Sequence, residues 1–132
     1  MTKPDIQSRA DLKQIIERFY EVANQDELLG PIFLKIFPLN FETHIPITVD
    51  FWDSILFYSA IYKNNVMLKH IVVNKKIKLT KEHFDRWLQI FQDSIDTLFV
   101  GETADLMKQK ADLMAQLMEI KMRDSEQTGF IQ

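Results

Sequence analysis

The feature that most constrains the fold is a run of large apolar residues at helical spacing after Thr80. In "KEHFDRWLQIFQDSIDTLF" the apolar positions recur every three or four residues; they are Phe84, Trp87, Leu88, Phe91, Ile95 and Leu98. This is the period of an amphipathic helix with one buried face. The pattern predicts a long helix that Thr80 caps and that ends before Gly101.

Other segments also predict helices rather than strands. Ser8 can cap a first helix, with Asp11 three residues later near the positive end of the helix dipole. The pair Gly30 and Pro31 marks a break. The chain holds only three glycines and four prolines, too few for the many turns of a β-sheet protein. We therefore predict an all-α fold in a single domain, residues 1–132.

The middle and the end of the chain supply the remaining predicted helices. We expect a helix over residues 41–62 that kinks at Pro46; the alternative is a regular helix that begins near Ile45. A turn at residues 63–65 and a short helix carrying His70 follow, before a polar connector at residues 73–78. The last helix is predicted from about Glu102 to about Met122. The residues predicted to face inward there are Leu106, Met107, Met114, Leu117 and Met118.

Composition excludes several classes of function. The formal charge is −3 and there is no basic stripe, so nucleic acid is not an expected partner. The first residues lack the apolar segment of a signal peptide, and no run of about 18 apolar residues predicts a membrane span. We therefore expect a cytoplasmic protein. Without cysteine there is no thiolate zinc site, iron–sulfur cluster or thioether attachment of haem.

The three histidines do not by themselves define a metal site. They follow none of the helical spacings that hold zinc, and no Glu-x-x-His pair supports a di-iron bundle. His83 lies next to Glu82 in the first turn of its predicted helix, which indicates a solvated side chain. His70 lies among apolar residues in "NNVMLKHIVV". Spacing alone favours a packing role for His70 in the core over a role as a metal ligand.

The order of several short segments resembles a known family. The segments are "ERFYE", "DELLGPIF", "FETHIP", "VDFW", "LKH" and "LTKEHFDRWLQIF". Together they are similar to the group III truncated haemoglobins, which are small bacterial globins, over roughly residues 15–99. The scarcity of glycine agrees with this group. The resemblance implies a two-over-two helical sandwich that binds haem b, iron protoporphyrin IX.

The resemblance also implies roles for particular residues. His70 corresponds to the proximal ligand of the iron, and Tyr20, His44 and Trp87 correspond to the distal residues beside a bound gas molecule. The remaining expected haem contacts are Phe33, Phe41, Phe51, Trp52, Leu68, Lys69, Phe84 and Phe91. Of these, Lys69 is our choice for a cation near the haem propionates, with Lys63 and Arg86 as alternatives.

A polar distal pocket of this kind predicts that O₂, NO or another diatomic molecule is held tightly at a pentacoordinate iron. Tight retention favours oxygen, nitric-oxide or peroxide chemistry over bulk oxygen transport. Whether the protein is an enzyme, with NO-detoxifying or peroxidase-like activity, is left open. An unidentified reductase is a candidate partner, and the chain is expected to be a monomer or a weak dimer.

The alternative interpretation is a helical protein-interaction module without a cofactor. Its aromatic residues would then be ordinary core. The cluster Lys75, Lys76 and Lys78 would be a docking patch, although by themselves these lysines favour a solvated loop.

Overall fold

A computed structural model describes residues 3–36, 40–57 and 79–128 of the chain, and every regular element in these ranges is helical. The elements are α1 (Arg9–Ala23), a π-helical turn (Ile32–Ile36), α2 (Phe41–Phe57), α3 (Lys81–Leu98) and α4 (Glu102–Thr128). The all-α prediction is confirmed. The predicted turn at 63–65, the short helix with His70 and the connector at 73–78 lie outside the described residues.

The core forms where α1 packs against both α2 and α3, and where α3 packs against α4. Its centre is a stack of aromatic rings from two helices. The ring of Phe91 lies between Trp52 and Trp87, with centroid distances of 5.2 Å and 5.0 Å. Phe19 from α1 meets Phe91 edge-on at 5.7 Å. Three helices therefore meet at one aromatic cluster.

None of the described helices is long and apolar enough to cross a membrane.

The predicted starts of α1 and α2 agree with the structure. Ser8 is the N-cap residue of α1, although its hydroxyl makes no capping hydrogen bond. The carboxylate of Asp11 instead accepts the N–H of Gln7 at 2.8 Å. Asn40 caps α2, because its side-chain oxygen accepts the N–H of Glu42 at 3.1 Å. Pro46 lies inside α2, and its side chain is exposed.

The inward face of α4 differs from the prediction. Leu106 and Leu117 are exposed, and the helix continues to Thr128 rather than ending near Met122. The buried residues are Ala104, Met107, Ala111, Ala115, Met118 and Met122. They follow the same helical period, and all of them are alanines or methionines. The prediction favoured two larger leucines, whereas the structure buries small alanines and flexible methionines on this face.

The start of α4 is capped by a residue from the other end of the chain. The two carboxylate oxygens of Asp5 accept the N–H groups of Thr103 and Ala104, each at 2.9 Å. Gly101 has a φ of +152°, and a Cβ there would collide with the Asp5 side chain. Burial alone would raise the pKa of Asp5, but the backbone N–H donors outweigh it and lower this pKa below its ordinary value.

Replacing Asp5 by alanine is expected to lower the free energy of unfolding by about 0.5–2 kcal/mol, the usual cost of losing an N-cap. Because the folded-state pKa of Asp5 is lowered, this stabilisation is complete above the unfolded carboxyl pKa of about 3.9. It is lost as the pH falls through the folded-state value. Urea unfolding at pH 7 and at pH 3 measures both effects. The exposed Glu17→Ala variant is the control, and equal losses in the two variants would contradict the capping role.

The side chain of His83 caps α3 rather than being simply solvated, which corrects the sequence prediction. Its Nδ1 atom accepts the backbone N–H of Thr80 at 3.0 Å and lies 3.1 Å from the Thr80 hydroxyl. The pair forms a capping box in which histidine occupies the position that glutamate or glutamine usually takes. Burial lowers the pKa of His83, and the charge of Glu82 opposes this only in part.

Because its folded-state pKa is lowered, His83 stabilises the fold fully above its unfolded pKa of about 6.5, and this stabilisation is lost as the pH falls. The His83→Gln variant keeps an acceptor at every pH. We expect wild type and His83→Gln to have similar stability at pH 7.5, and wild type to be less stable by up to about 1 kcal/mol at pH 5. Thermal unfolding at both pH values measures this difference. A difference independent of pH would refute the role of Nδ1.

Candidate functional site

Tyr20 is the centre of a polar site inside an aromatic shell. It lies on α1 four residues after Ile16, so helical geometry turns it inward, and it is 8% exposed. Its hydroxyl oxygen lies 2.7 Å from Nε2 of His44 on α2. The rings of Phe33 and Phe41 lie against the tyrosine ring, with centroid distances of 5.4 Å and 5.1 Å. The structure thus brings together two of the three predicted distal residues.

The Tyr20 hydroxyl stays protonated over the physiological pH range. Burial raises its pKa strongly, and the nearby Thr48 hydroxyl opposes this only weakly. A buried neutral phenol is a hydrogen-bond donor that does not depend on pH near neutrality. The site therefore holds a permanent donor in apolar surroundings, where a hydrogen bond is stronger than in water.

His44 and Thr48 act on Tyr20 from neighbouring turns of α2. The Thr48 hydroxyl donates to the backbone oxygen of His44 at 3.0 Å. The direction of the bond between Tyr20 and His44 depends on the imidazole tautomer. If Nε2 carries the proton, it donates to the tyrosine oxygen, and the tyrosine proton is free for another acceptor. If Nε2 lacks the proton, Tyr20 donates to it.

Trp87 joins the site through Phe19 rather than by a described contact with Tyr20. Phe19 meets Tyr20 edge-on at 5.0 Å and Trp87 at 6.1 Å. Trp87 is half-buried and stacks on Phe91 at an interplanar angle of 10°. The central aromatic cluster therefore fixes the position of Trp87. Through Phe19, the same cluster also orients the face of α1 that carries Tyr20.

The other predicted haem contacts fall into three groups. Phe33, Phe41 and Phe51 are half-buried and pack against the core. Trp52, Phe84 and Phe91 are almost completely covered by protein. The remaining predicted residues, which include the proximal ligand and the two lysines proposed for the propionates, lie outside the described residues; they are Leu68, His70, Lys69 and Lys63. The patch of Lys75, Lys76 and Lys78 lies outside them as well.

Arg86, an alternative cation for the propionates, is paired with a carboxylate. Its Nε atom donates to Asp26 at 2.7 Å. Asp26 also accepts the N–H groups of Leu28 and Leu29 at 3.1 Å and 3.0 Å. Burial would raise the pKa of Asp26, but these donors and Arg86 lower it below its ordinary value. The pair of Asp26 and Arg86 attaches the bend after α1 to α3. This bend lies next to the turn that carries Phe33.

The sequence analysis did not predict that Thr48 lies near the Tyr20 hydroxyl or that Asp26 pairs with Arg86. Thr48 follows His44 by four residues, so helical spacing puts both on one face. Asp26 lies just after α1, where aspartate commonly accepts N–H groups of the following turn. Both local signals are present in the sequence. The partner Arg86, 60 residues later, has no local signal.

The Tyr20→Phe variant tests the buried phenol directly. The chain has three tyrosines. In a spectrophotometric titration of wild type, we expect the absorbance of one tyrosinate to appear only above the ordinary pKa of about 10. This late step should be missing in Tyr20→Phe, because burial raises the pKa of that hydroxyl. The Tyr62→Phe variant is the control. If Tyr20→Phe removes only a step near pH 10, Tyr20 is not buried as described.

Comparison with known proteins agrees with the sequence resemblance. The chain is 25% identical over 111 residues to the group 3 truncated hemoglobin ctb of Campylobacter jejuni, covering 82% of this chain and 85% of that protein. The crystal structure of a group III truncated hemoglobin from Campylobacter jejuni superposes with a TM-score of 0.80 at 23% identity, over 92% of this chain and 95% of that one. No protein-family model matches the chain. The predicted resemblance to the group III truncated haemoglobins is therefore confirmed, and the chain has the truncated globin fold.

Proposed function

We propose that this chain binds haem b and holds a diatomic ligand beside Tyr20, His44 and Trp87, with His70 as the protein ligand of the iron. The observation that carries the proposal is the buried phenol of Tyr20, 2.7 Å from an imidazole within an aromatic shell. A core that needed only packing would be served by phenylalanine, because a buried polar group costs free energy unless it is satisfied. The globin fold and the truncated haemoglobin relative support the same function.

The described residues fit a haem group. A porphyrin needs a flat apolar slot with few polar groups. Phe33, Phe41 and Phe51 are half-buried and so keep apolar surface that the described core does not cover. We assign these three rings to the face of the slot. Trp52, Phe84 and Phe91 are covered by protein, and we assign them to the packing that holds the slot rigid.

When bound, the haem supplies an iron atom that binds diatomic gases such as O₂ and NO. The contribution of the chain is then to hold the iron from one side and to set polarity on the other. His70 is the candidate for the first task, as a neutral imidazole whose second ring nitrogen needs a hydrogen-bond acceptor to fix its tautomer. Lys69 is the candidate cation for the propionates.

The distal residues favour a ligand that carries partial negative charge. Tyr20 stays protonated because burial raises its pKa. Its O–H and the indole N–H of Trp87 can each donate a hydrogen bond to such a ligand. Each bond to a charged acceptor contributes about 1.5–3 kcal/mol. Two bonds would slow ligand release by a factor on the order of 10² or more.

The rate at which the ligand is released indicates whether a haem protein is suited to react with the ligand or to transport it. A protein that retains O₂ for long delivers it poorly, so we propose oxygen, nitric-oxide or peroxide redox chemistry rather than bulk transport. His44 has a specific part in this proposal. While its Nε2 atom accepts the proton of Tyr20, that proton cannot reach a ligand. An imidazole that donates instead, or turns away, releases the tyrosine donor for the ligand.

The first test is a hemin titration of the purified chain. Wild type is expected to bind about one equivalent and to give the visible spectrum of a histidine-ligated haem. The His70→Gly variant should lose this ligation or change the spin state, and added imidazole should restore it. The matched control is His83→Gln, which should leave the spectrum unchanged. An unaltered spectrum in His70→Gly would remove His70 as the ligand. A wild-type chain that binds no hemin would instead favour the cofactor-free interaction module.

The second test measures O₂ dissociation from the ferrous protein by stopped flow. Tyr20→Phe is expected to release O₂ about 10 to 100 times faster, because it loses one hydrogen bond of about 1.5–3 kcal/mol. Trp87→Phe should also accelerate release, while it keeps an aromatic ring in the stack with Phe91. The exposed Glu42→Gln variant is the control. Unchanged release in Tyr20→Phe would exclude Tyr20 from the distal network.

A further inference from the structure

A stripe of large apolar side chains lies on the outer face of α4. We call it the α4 stripe; its members are Leu106 (36% exposed), Leu113 (53%), Leu117 (48%) and Ile120 (43%). The inward face of the same helix is already complete, because Met107, Ala111 and Met118 are buried against the core. Single exposed apolar residues are common on protein surfaces. Four that lie in one line along a helix form a contiguous patch of the kind that marks an interaction surface.

The spacing of the α4 stripe is symmetrical about Leu113. Leu106 precedes Leu113 by seven residues and Ile120 follows it by seven. Two helical turns separate these neighbours, so the three side chains point in nearly the same direction and are about 10 Å apart. If a second copy of α4 ran antiparallel to the first, Leu113 would meet the Leu113 of the other copy. Leu106 would then meet Ile120, and the stripe would match itself.

Charges beside the α4 stripe favour the same antiparallel arrangement. Asp105 is an acidic residue in the first turn of the helix, and Arg123 is a basic residue in its second half. Helical geometry puts Asp105 and Arg123 on the same flank of the stripe. In an antiparallel pair each Asp105 therefore lies beside the Arg123 of the other copy. In a parallel pair the two residues would lie about 27 Å apart along the axis and could not meet.

The existing ion pairs of these two residues leave them available for such contacts. Asp105 lies 3.6 Å from Lys108, and Arg123 lies 3.5 Å from Glu119; the side chains of Asp105 and Arg123 are exposed, and those of their partners are half-buried. Exposed pairs between residues three or four apart contribute only a few tenths of a kcal/mol. Both side chains can thus take part in a contact with another molecule at little cost.

We propose that the α4 stripe binds a second copy of this chain, in an antiparallel helix pair with a two-fold axis at Leu113. The same patch on both copies then forms the interface, as two-fold symmetry requires. A single helix pair buries less than the roughly 1,600 Å² of a standard interface. The association is therefore weak and reversible, with a dissociation constant in the micromolar range or above.

The absence of cysteine from the chain permits a direct test by cross-linking. Under mild oxidation the Leu113→Cys variant should form a disulfide-linked dimer quickly, because the two-fold axis brings the two Cys side chains together. Leu106→Cys and Ile120→Cys should each cross-link slowly alone and quickly when mixed. The control Val100→Cys lies at an exposed site (59%) outside the stripe and should cross-link slowly. Rapid self-linking of Leu106→Cys would indicate a parallel pair and overturn the proposal, as would equal rates for Leu113→Cys and Val100→Cys.

Sedimentation equilibrium of the full chain, from about 10 µM to about 1 mM, tests the interface without oxidation. Wild type is expected to self-associate, and Leu113→Lys to weaken this at least about tenfold, because two like charges would meet at the axis. Val100→Lys should behave as wild type. Asp105→Lys and Arg123→Glu should each weaken association, and their combination should restore it. A wild type that stays monomeric throughout, or a double variant no better than the single ones, would contradict the proposal. Loss of association in Val100→Lys would do so too.

Discussion

The stack of Trp52, Phe91 and Trp87 is the contact on which the arrangement of the described helices depends. It joins α2 to α3, and Phe19 attaches α1 to its edge. Large rings carry much of the energy of a core and also impose geometry, since they pack well only in offset or edge-on orientations. Because Tyr20 adjoins Phe19 and His44 extends from α2, the short contact between phenol and imidazole is a consequence of how this cluster packs.

Aspartates at the helix junctions complement this apolar centre. Asp5 holds the start of α4, Asp26 holds the bend after α1 to Arg86, and Asp53 pairs with Arg9 between α1 and α2 at 3.1 Å. Each carboxylate accepts hydrogen bonds from the N–H groups of a helix start or turn, or from an exposed arginine side chain. The junctions are therefore fixed by directional bonds, whereas the helix faces are held by packing. Among the described residues, Tyr20, His44 and Thr48 are the polar side chains that meet within the aromatic shell.

Sequence reasoning was most successful where a property is local. Helical period and N-cap residues predicted α1, the start of α2 and the start of α3, because these signals lie within a few residues of the feature they determine. The predicted inward face of α4 was wrong for Leu106 and Leu117, since the prediction favoured large apolar side chains where the structure buries alanines. The contacts of Asp5 with Thr103 and of Asp26 with Arg86 could not be predicted, because they join residues distant in the chain.

The contact of Tyr20 with His44 could be predicted only in part. The resemblance suggested both residues, but only the fold brings the two side chains together. The predictions for His70 and Lys69 concern a segment outside the described residues and stay predictions.

The carboxylate that caps α4 also has a consequence for the order of folding. Asp5 and the N–H groups it accepts are 98 and 99 residues apart, so forming these bonds closes most of the chain into one loop. The entropy of such a closure is lost before any stabilising contact is gained, which places long-range contacts late in folding. The bonds between Asp5 and α4 therefore form late, after the helices between them. Their loss is expected to speed unfolding more than it slows folding, so Asp5 contributes mainly to the lifetime of the folded state.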